Sequence, residues 1–205
     1  MSSLLRIAGP VEHEIAKIKG SRFVAFATPV RDEDEAAAFV DGLRRRFHDA
    51  RHHCWAWRLG REPERARSSD DGEPSGTGGA PILAEIDGRD LRDLVVVVVR
   101  WFGGVKLGTG PLARAYGEAA REVLTRARVV EVPIVRQVRV IHAWDDSGPV
   151  QAVQARFGLT PVEGAYEAEV RLVFAVPTAR AEAFARAVTD ASSGRARVEI
   201  GPELA

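Results

Sequence analysis

The sequence has 205 residues, 45% of them hydrophobic, which is enough to bury a core in one large domain or two small ones. Basic and acidic residues balance at 29 each, so a strongly basic nucleic-acid-binding domain is excluded, and any such contact must depend on a local positive patch. Cys54 is the only cysteine, which excludes an internal disulfide or a multi-cysteine metal site and favours a reducing compartment.

Neither a membrane span nor a secretory signal is predicted. The longest apolar run, residues 94–99, is far shorter than the roughly 20 residues that a transmembrane helix needs. Residues 1–20 carry charges through their middle and lack the apolar block that precedes a signal cleavage site. We therefore expect a cytoplasmic protein without a membrane partner.

The first 60 residues predict strands and one long helix. Residues 22–29 are apolar on both faces, as in a central strand. Asp32 and Glu35 form a variant of the capping box, and apolar residues follow at helical spacing, which predicts a helix over residues 33–49. Residues 53–59 then predict another strand.

The middle of the chain alternates polar and strongly apolar segments. Residues 61–79 contain almost no apolar side chains and predict a long polar loop, which a short helix at residues 81–86 follows. The β-branched run at residues 94–99 is typical of a strand buried on both faces, at the centre of the sheet. After a glycine-rich turn at residues 101–110, Pro111 suits the start of a second long helix. This order predicts an α/β domain with a mixed sheet.

The C-terminal third predicts a second domain. From residue 134 the order is strand, helix, two strands, helix and strand, which is the βαββαβ arrangement of a ferredoxin-like domain. Without cysteine ligands, an iron–sulfur cluster is excluded there. We predict two domains, residues 1–132 and residues 133–205, and expect the second to bind or position a partner.

The polar loop is the first candidate for function. Its acidic residues, Asp70, Asp71 and Glu73, lie close together, which in an ordered loop favours binding of a cation or a hydrogen-bond donor. The hydroxyl groups and bare backbone N–H groups around residues 75–77 suit an anion instead. Composition alone leaves a disordered linker as an equal alternative.

The glycine-rich turn is the second candidate, because glycine permits close approach of the backbone and a helix N-terminus favours anions. Arg100 and Lys106 supply local positive charge. Residues 108–113 also fit the Gly-x-Gly-x-x-Ala fingerprint of a dinucleotide site, with Glu131 about twenty residues later. The glycines begin several residues after the strand, however, and a ferredoxin-like domain follows where Rossmann units would continue, so we disfavour that reading.

Two histidines beside the cysteine raise the possibility of a nucleophile or a metal site. Adjacent residues of a strand point to opposite faces, so His52, His53 and Cys54 cannot all converge, although His52 and Cys54 can share a face. We favour a small buried side chain for Cys54.

Four motifs together resemble the IMPACT family, also called the YigZ family in bacteria. They are Lys-Gly-Ser-Arg-Phe at 19–23, Ala-Arg-His-His-Cys at 50–54, Ser-Asp-Asp-Gly-Glu-Pro-Ser-Gly-Thr at 69–77 and Arg-Trp-Phe-Gly-Gly-Val-Lys-Leu-Gly at 100–108. The likeness extends over nearly the whole chain. It implies an N-terminal domain with the fold of the second domain of a small-subunit ribosomal protein. The C-terminal domain would be similar to domains of elongation factor G.

The resemblance implies regulation of translation, with RNA, the ribosome or a translation-related protein as partner and no established reaction. The residues themselves leave two alternatives: an enzyme in which an acidic residue of the loop acts as general base or metal ligand near His52, and an interaction module without a small ligand. The family usually has glycine where Pro111 stands, so one backbone N–H is missing here.

We assign no catalytic residue, metal ligand or cofactor from the sequence. The residues predicted to bind a partner are His52, Ser69, Asp70, Asp71, Gly72, Glu73, Ser75, Gly76, Thr77, Arg100, Gly103, Gly104, Lys106, Gly108, Thr109 and Arg114.

Overall fold

The computed structural model describes residues 3–60 and 65–204 and has the mixed α/β, two-domain fold class that the sequence predicts. One compact unit comprises Leu5–Glu131, and the second contains the chain from Val132 onward. None of the helices in the described ranges combines the length and apolar character of a membrane span.

The first unit is built on a five-stranded sheet with the order β2-β3-β6-β4-β5. Its elements in chain order are β2 (Val11–Glu14), β3 (Arg22–Pro29), α1 (Glu33–Arg46), β4 (His52–Leu59), β5 (Arg65–Ser69), α2 (Gly79–Asp87), β6 (Leu94–Trp101) and α3 (Thr109–Arg126). The strands β1 (Ser3–Ile7) and β7 (Val129–Pro133) form a separate two-stranded sheet.

The β6 strand occupies the centre of the five-stranded sheet, as its β-branched sequence predicts. Residues 94–99 are all fully buried, because helices cover both faces of the sheet. Val96 and Val98 face α2 and α3, whereas Val95, Val97 and Val99 face α1. The strand therefore joins two hydrophobic cores.

The five-stranded sheet differs from the mixed sheet expected from the sequence, because every pair of neighbouring strands in it is antiparallel. The strands β3 and β4 run in the same direction, as a βαβ connection requires, but β6 lies between them and pairs with both. The connection from β3 through α1 to β4 therefore passes over the position of β6, so this sheet contains no adjacent parallel strands.

Part of the predicted polar loop is a strand. Residues 65–69 form β5 and pair with β4 in the register Trp55↔Ser69, while residues 61–64 lie outside the described part of the chain. The β5 residues are largely exposed at the edge of the sheet, so the strand is held by backbone hydrogen bonds and needs no alternating apolar residues. A hydrophobic pattern could not have predicted it.

The second unit has the predicted ferredoxin-like topology. Its elements are β8 (Val135–His142), a short 3-10 helix (Trp144–Asp146), α4 (Ser147–Phe157), β9 (Glu163–Tyr166), β10 (Val170–Pro177), α5 (Thr178–Ala191) and β11 (Arg197–Leu204). The strands form an antiparallel sheet with the order β11-β8-β10-β9. Both long helices pack on one face of this sheet, around Phe174 and Phe184.

The α1 helix begins as predicted, since the Asp32 carboxylate accepts a hydrogen bond from the Glu35 N–H at 2.8 Å.

The glycine in the interior of α1, Gly42, gives a stability prediction. A Cβ added to Gly42 meets no atom within 4 Å, so Gly42→Ala should stabilise the first unit by about 0.5–1 kcal/mol through the lower entropy of the unfolded chain. The measurement is the midpoint of urea unfolding.

The contrasting variant is Gly104→Ala. That position has equal space but a φ of +88°, so alanine there should lower the midpoint. If both substitutions shift the midpoint in the same direction, the assignment of these two backbone conformations is wrong.

Candidate functional site

The two predicted loops meet at one end of the five-stranded sheet. We call residues 70–78, between β5 and α2, the acidic loop, and residues 102–108, between β6 and α3, the glycine-rich turn. The acidic loop is ordered through its own carboxylates, each of which has different partners.

Asp70 caps the α2 helix from eight residues before its N-cap, Gly78. One carboxylate oxygen accepts from the N–H groups of Gly78 and Gly79 at 2.8 and 2.9 Å, and the other accepts from the Gly76 N–H at 2.8 Å. Burial acts to raise the pKa of Asp70, but these three hydrogen bonds outweigh it and hold the pKa below its ordinary value. The carboxylate is therefore ionised and occupied by the protein backbone.

Asp71 joins the acidic loop to β4 and α1. Its carboxylate accepts from the His53 N–H at 2.7 Å and from the Arg44 guanidinium at 2.7 Å. Its carbonyl oxygen lies 2.9 Å from Nδ1 of His52, and its own N–H donates to the Ser69 hydroxyl at 3.2 Å. The residue has a φ of +43°, a left-handed conformation that aspartate tolerates better than most residues.

Glu73 forms a buried ion pair with Arg100, and each side chain is only 5% exposed. The same Glu73 oxygen accepts from the Tyr116 hydroxyl at 2.8 Å, while the other oxygen lies 3.8 Å from Nε2 of His52. Arg100 also donates to the Ser21 hydroxyl oxygen at 3.2 Å. We call Ser21, Glu73, Arg100 and Tyr116 the buried hub.

Cys54 lies next to the buried hub and is fully buried. Its thiol donates to the Asp70 carbonyl oxygen at 3.0 Å. Burial raises the pKa of the thiol well above its usual value, so it stays protonated, and it is not an activated nucleophile. Gly78 packs against it so closely that a Cβ there would come within 2.5 Å of the sulfur.

The glycine-rich turn lies against the segment that precedes β3. The Gly103 N–H donates to the Ser21 hydroxyl at 3.2 Å, and a Cβ on Gly103 would lie 1.9 Å from the Gly20 carbonyl carbon. Only glycine allows this approach. Beyond it the turn is exposed, with Phe102 at 39% and Val105 at 52%, and Leu107 anchors its far end in the core.

The structure separates the predicted binding residues into an inner and an outer group. Side chains engaged inside the protein are His52, Ser69, Asp70, Asp71, Glu73, Thr77 and Arg100. Exposed residues are Gly72, Ser75, Gly76, Gly103, Gly104, Lys106, Gly108, Thr109 and Arg114. Arg100, predicted to contact phosphate, belongs to the inner group because its guanidinium is buried against Glu73.

Several residues that hold this site together are absent from the set predicted to bind a partner. Arg44 and His53 fix Asp71, and Tyr116 binds Glu73 from α3. Periodicity predicts the apolar face of α3 but does not reveal what the hydroxyl group of Tyr116 contacts. In the described ranges, no three His, Cys, Asp or Glu side chains are grouped so as to hold a metal ion.

The α3 helix begins beside the turn, and no side-chain cap occupies its N-terminus, the positive end of the helix dipole. Its N-cap is Gly108, its first turn contains no acidic residue, and no side chain of the N-cap binds the free N–H groups. Pro111 lies in the first turn and removes one of these donors, whereas Thr109 and Gly110 retain theirs. The α2 helix differs, because Asp70 already occupies its N-terminus.

The Asp70 cap gives a prediction with a pH dependence. Asp70→Ala should destabilise the first unit by about 2 kcal/mol at neutral pH, at the upper end for a helix cap, because three N–H groups lose their acceptor. Since the folded-state pKa is depressed, this stabilisation is complete above about pH 5 and is lost as the pH falls below about 4. Urea unfolding of both proteins between pH 3 and 7, as approximate limits, measures it. A stability difference that is independent of pH would contradict the assignment.

The buried ion pair gives a second prediction. Arg100→Met leaves the Glu73 carboxylate buried without its cation and should cost about 3–5 kcal/mol. Adding Glu73→Leu removes the uncompensated charge, so the double variant should be more stable than Arg100→Met alone. A double-mutant cycle measured by urea unfolding tests this, and strictly additive effects would be inconsistent with direct pairing.

Comparisons with known proteins agree with these features. The Impact N-terminal domain model matches residues 19–124, and a domain of unknown function, DUF1949, matches residues 144–195. The IMPACT family member YigZ of Escherichia coli is 33% identical over 95% of this chain and 96% of its own length. YvyE of Bacillus subtilis, also an IMPACT family member, is 33% identical over 93% of this chain and 87% of its own length. A crystal structure described as a hypothetical protein covers 100% of both chains with 31% identity and a TM-score of 0.74. The chain belongs to the IMPACT family.

Proposed function

We propose that this protein regulates translation by binding RNA through the exposed surface of its glycine-rich turn. The family resemblance supplies the link to translation. The observation that supports RNA binding most directly is the internal use of all three acidic-loop carboxylates. Asp70 is bound by backbone N–H groups, Asp71 by Arg44 and the His53 N–H, and Glu73 by Arg100 and Tyr116.

Because these carboxylates are bound inside the protein, the turn is surrounded mainly by exposed cations. One exposed carboxylate, Asp49, accepts a hydrogen bond from the Trp101 indole N–H at 2.9 Å beside them. Lys106 lies in the turn itself, and Lys19 precedes Gly20, whose backbone touches Gly103. The Arg51 guanidinium lies 5.8 Å from the centre of the Phe102 ring, and Arg114 folds along the start of α3, with Nη1 3.8 Å from a Cβ position on Gly110. These four cations are exposed and form no ion pair with a carboxylate in the described residues. Phosphate groups complement such a surface, together with the open N-terminus of α3.

Phe102 adds a feature that suits nucleobases. Its ring is exposed, and the guanidinium groups of Arg51 and Arg100 lie within 6 Å of its centre. Aromatic rings flanked by cations stack on unpaired bases and contribute about 1–3 kcal/mol for each base. The turn therefore suits an RNA loop or single strand better than a continuous duplex.

RNA binding is tested by fluorescence anisotropy with a labelled RNA hairpin that carries an unpaired loop, measured across a salt series. The Lys106→Ala/Arg114→Ala variant should bind more weakly, and the slope of log affinity against log salt should fall by about 1 for each phosphate contact removed. Arg186→Ala is the matched control, because Arg186 is an exposed arginine on α5 in the second unit.

This surface would be rejected if the wild-type protein bound the RNA no more tightly than the Lys106→Ala/Arg114→Ala variant. It would also be rejected if the Arg186→Ala control lost as much affinity as that variant. A Phe102→Ala variant separates stacking from charge, since it should weaken binding without changing the salt slope. The same contacts disfavour the enzyme alternative, because its carboxylates are already bound by protein donors and His52 contacts the Asp71 carbonyl oxygen.

A further inference from the structure

The β9 edge of the second unit exposes large apolar side chains side by side. Trp144, Val162 and Tyr166 are 53%, 60% and 61% exposed. The rings of Trp144 and Tyr166 lie 6.1 Å apart, and the Trp144 indole N–H donates to the Glu167 carbonyl oxygen at 2.9 Å, which fixes the pair at the end of β9. Val162 immediately precedes the strand. We call Trp144, Val162 and β9 itself the edge patch, and such clustering marks an interaction surface.

The backbone of the edge patch is available to another strand. Only β10 pairs with β9 in the four-stranded sheet, so the other side of β9 carries no neighbour among the described residues. All four β9 residues are exposed, and Gly164 and Ala165 at its centre present almost no side chain. An extended segment can therefore approach closely and continue the sheet.

The charges around the edge patch select the kind of segment. Asp145, Glu163 and Glu167 are exposed and form no ion pair with any other described residue. Arg171, opposite Ala165 on β10, and Arg139, which lines the same concavity as Glu163, are nearby cations, so three carboxylates face two guanidinium groups here. Tyr166 lies opposite the core residue Val170, whereas Glu163 lies on the other face of the sheet, opposite Val173. A segment that alternates basic and apolar residues can therefore present arginine or lysine to the carboxylates and apolar side chains to the aromatic pair.

The same charges disfavour RNA and one arrangement of a second copy. In an antiparallel pairing of two copies centred on Ala165, Glu163 of one chain would face Glu167 of the other, and like charges directly opposite each other destabilise that register. The phosphates of RNA would meet the same three carboxylates. We infer that the edge patch binds an extended, basic segment of a partner protein by strand addition, on a surface distinct from the glycine-rich turn.

Peptide binding to the full chain tests this inference. The probe is a fluorescein-labelled peptide of alternating arginine and valine, and its counterpart has glutamate in place of arginine. The arginine peptide should bind and the glutamate peptide should not. Glu163→Lys/Glu167→Lys should weaken binding by about tenfold or more, because two attractive pairs become repulsive.

Matched variants identify where the peptide binds. Glu182→Lys changes an exposed glutamate on α5 of the same unit and should leave affinity unchanged, whereas Tyr166→Ala should weaken it. Lys106→Ala/Arg114→Ala, which is designed to weaken RNA binding, should bind the peptide normally, so failure of one proposal is distinguishable from failure of the other.

Three results would overturn the inference. They are no binding of the arginine peptide, equal binding of the two peptides, and equal affinities of the Glu163→Lys/Glu167→Lys and Glu182→Lys variants. Sedimentation equilibrium adds a further check, because a dimer that Tyr166→Ala dissociates would assign the edge patch to a second copy of the chain.

Discussion

The buried ion pair between Glu73 and Arg100 determines how the acidic loop is ordered. An unpaired charge at 5% exposure would be prohibitively costly, so each side chain requires the other in place. Arg100 is fixed because it belongs to β6 and pairs with Phe23 and His52 on the neighbouring strands. Glu73 must therefore come to Arg100, and it brings with it a loop that has no apolar side chains to hold it against the core.

The other carboxylates of the acidic loop extend this arrangement in different directions. Asp70 orders the start of α2, and Asp71 reaches α1 through Arg44 and β4 through the His53 N–H. The three carboxylates are thus bound inside the protein, two of them by Arg44 and Arg100, while Lys106 and Arg114 stay exposed. A chain with no net charge can present a cationic surface in this way, which its composition does not reveal.

The sequence predicted those parts of the molecule whose patterns are local. The central strand at residues 94–99, the Asp32 cap and the ferredoxin-like order were all predicted, because periodicity and capping act over a few residues. The β5 strand was missed because an exposed edge strand needs no apolar alternation. The partners of the carboxylates could not be predicted, since Glu73 and Tyr116 are 43 positions apart. The inward position of Arg100, in contrast, could have been predicted from the sequence. Alternation along β6 places it on the same face as Val96 and Val98, beneath α2 and α3.

The hydroxyl of Ser21 has a consequence for the order in which the molecule folds. It binds Arg100 and Gly103, which follow it by 79 and 82 positions, so these bonds cannot form until β3 and β6 have paired. Bringing such distant segments together costs conformational entropy before these contacts can form. Glu73 and Tyr116 add two more distant segments to the same hub. The candidate binding surface thus depends on segments that are distant in the sequence, and a growing polypeptide lacks it until α3 has been synthesised.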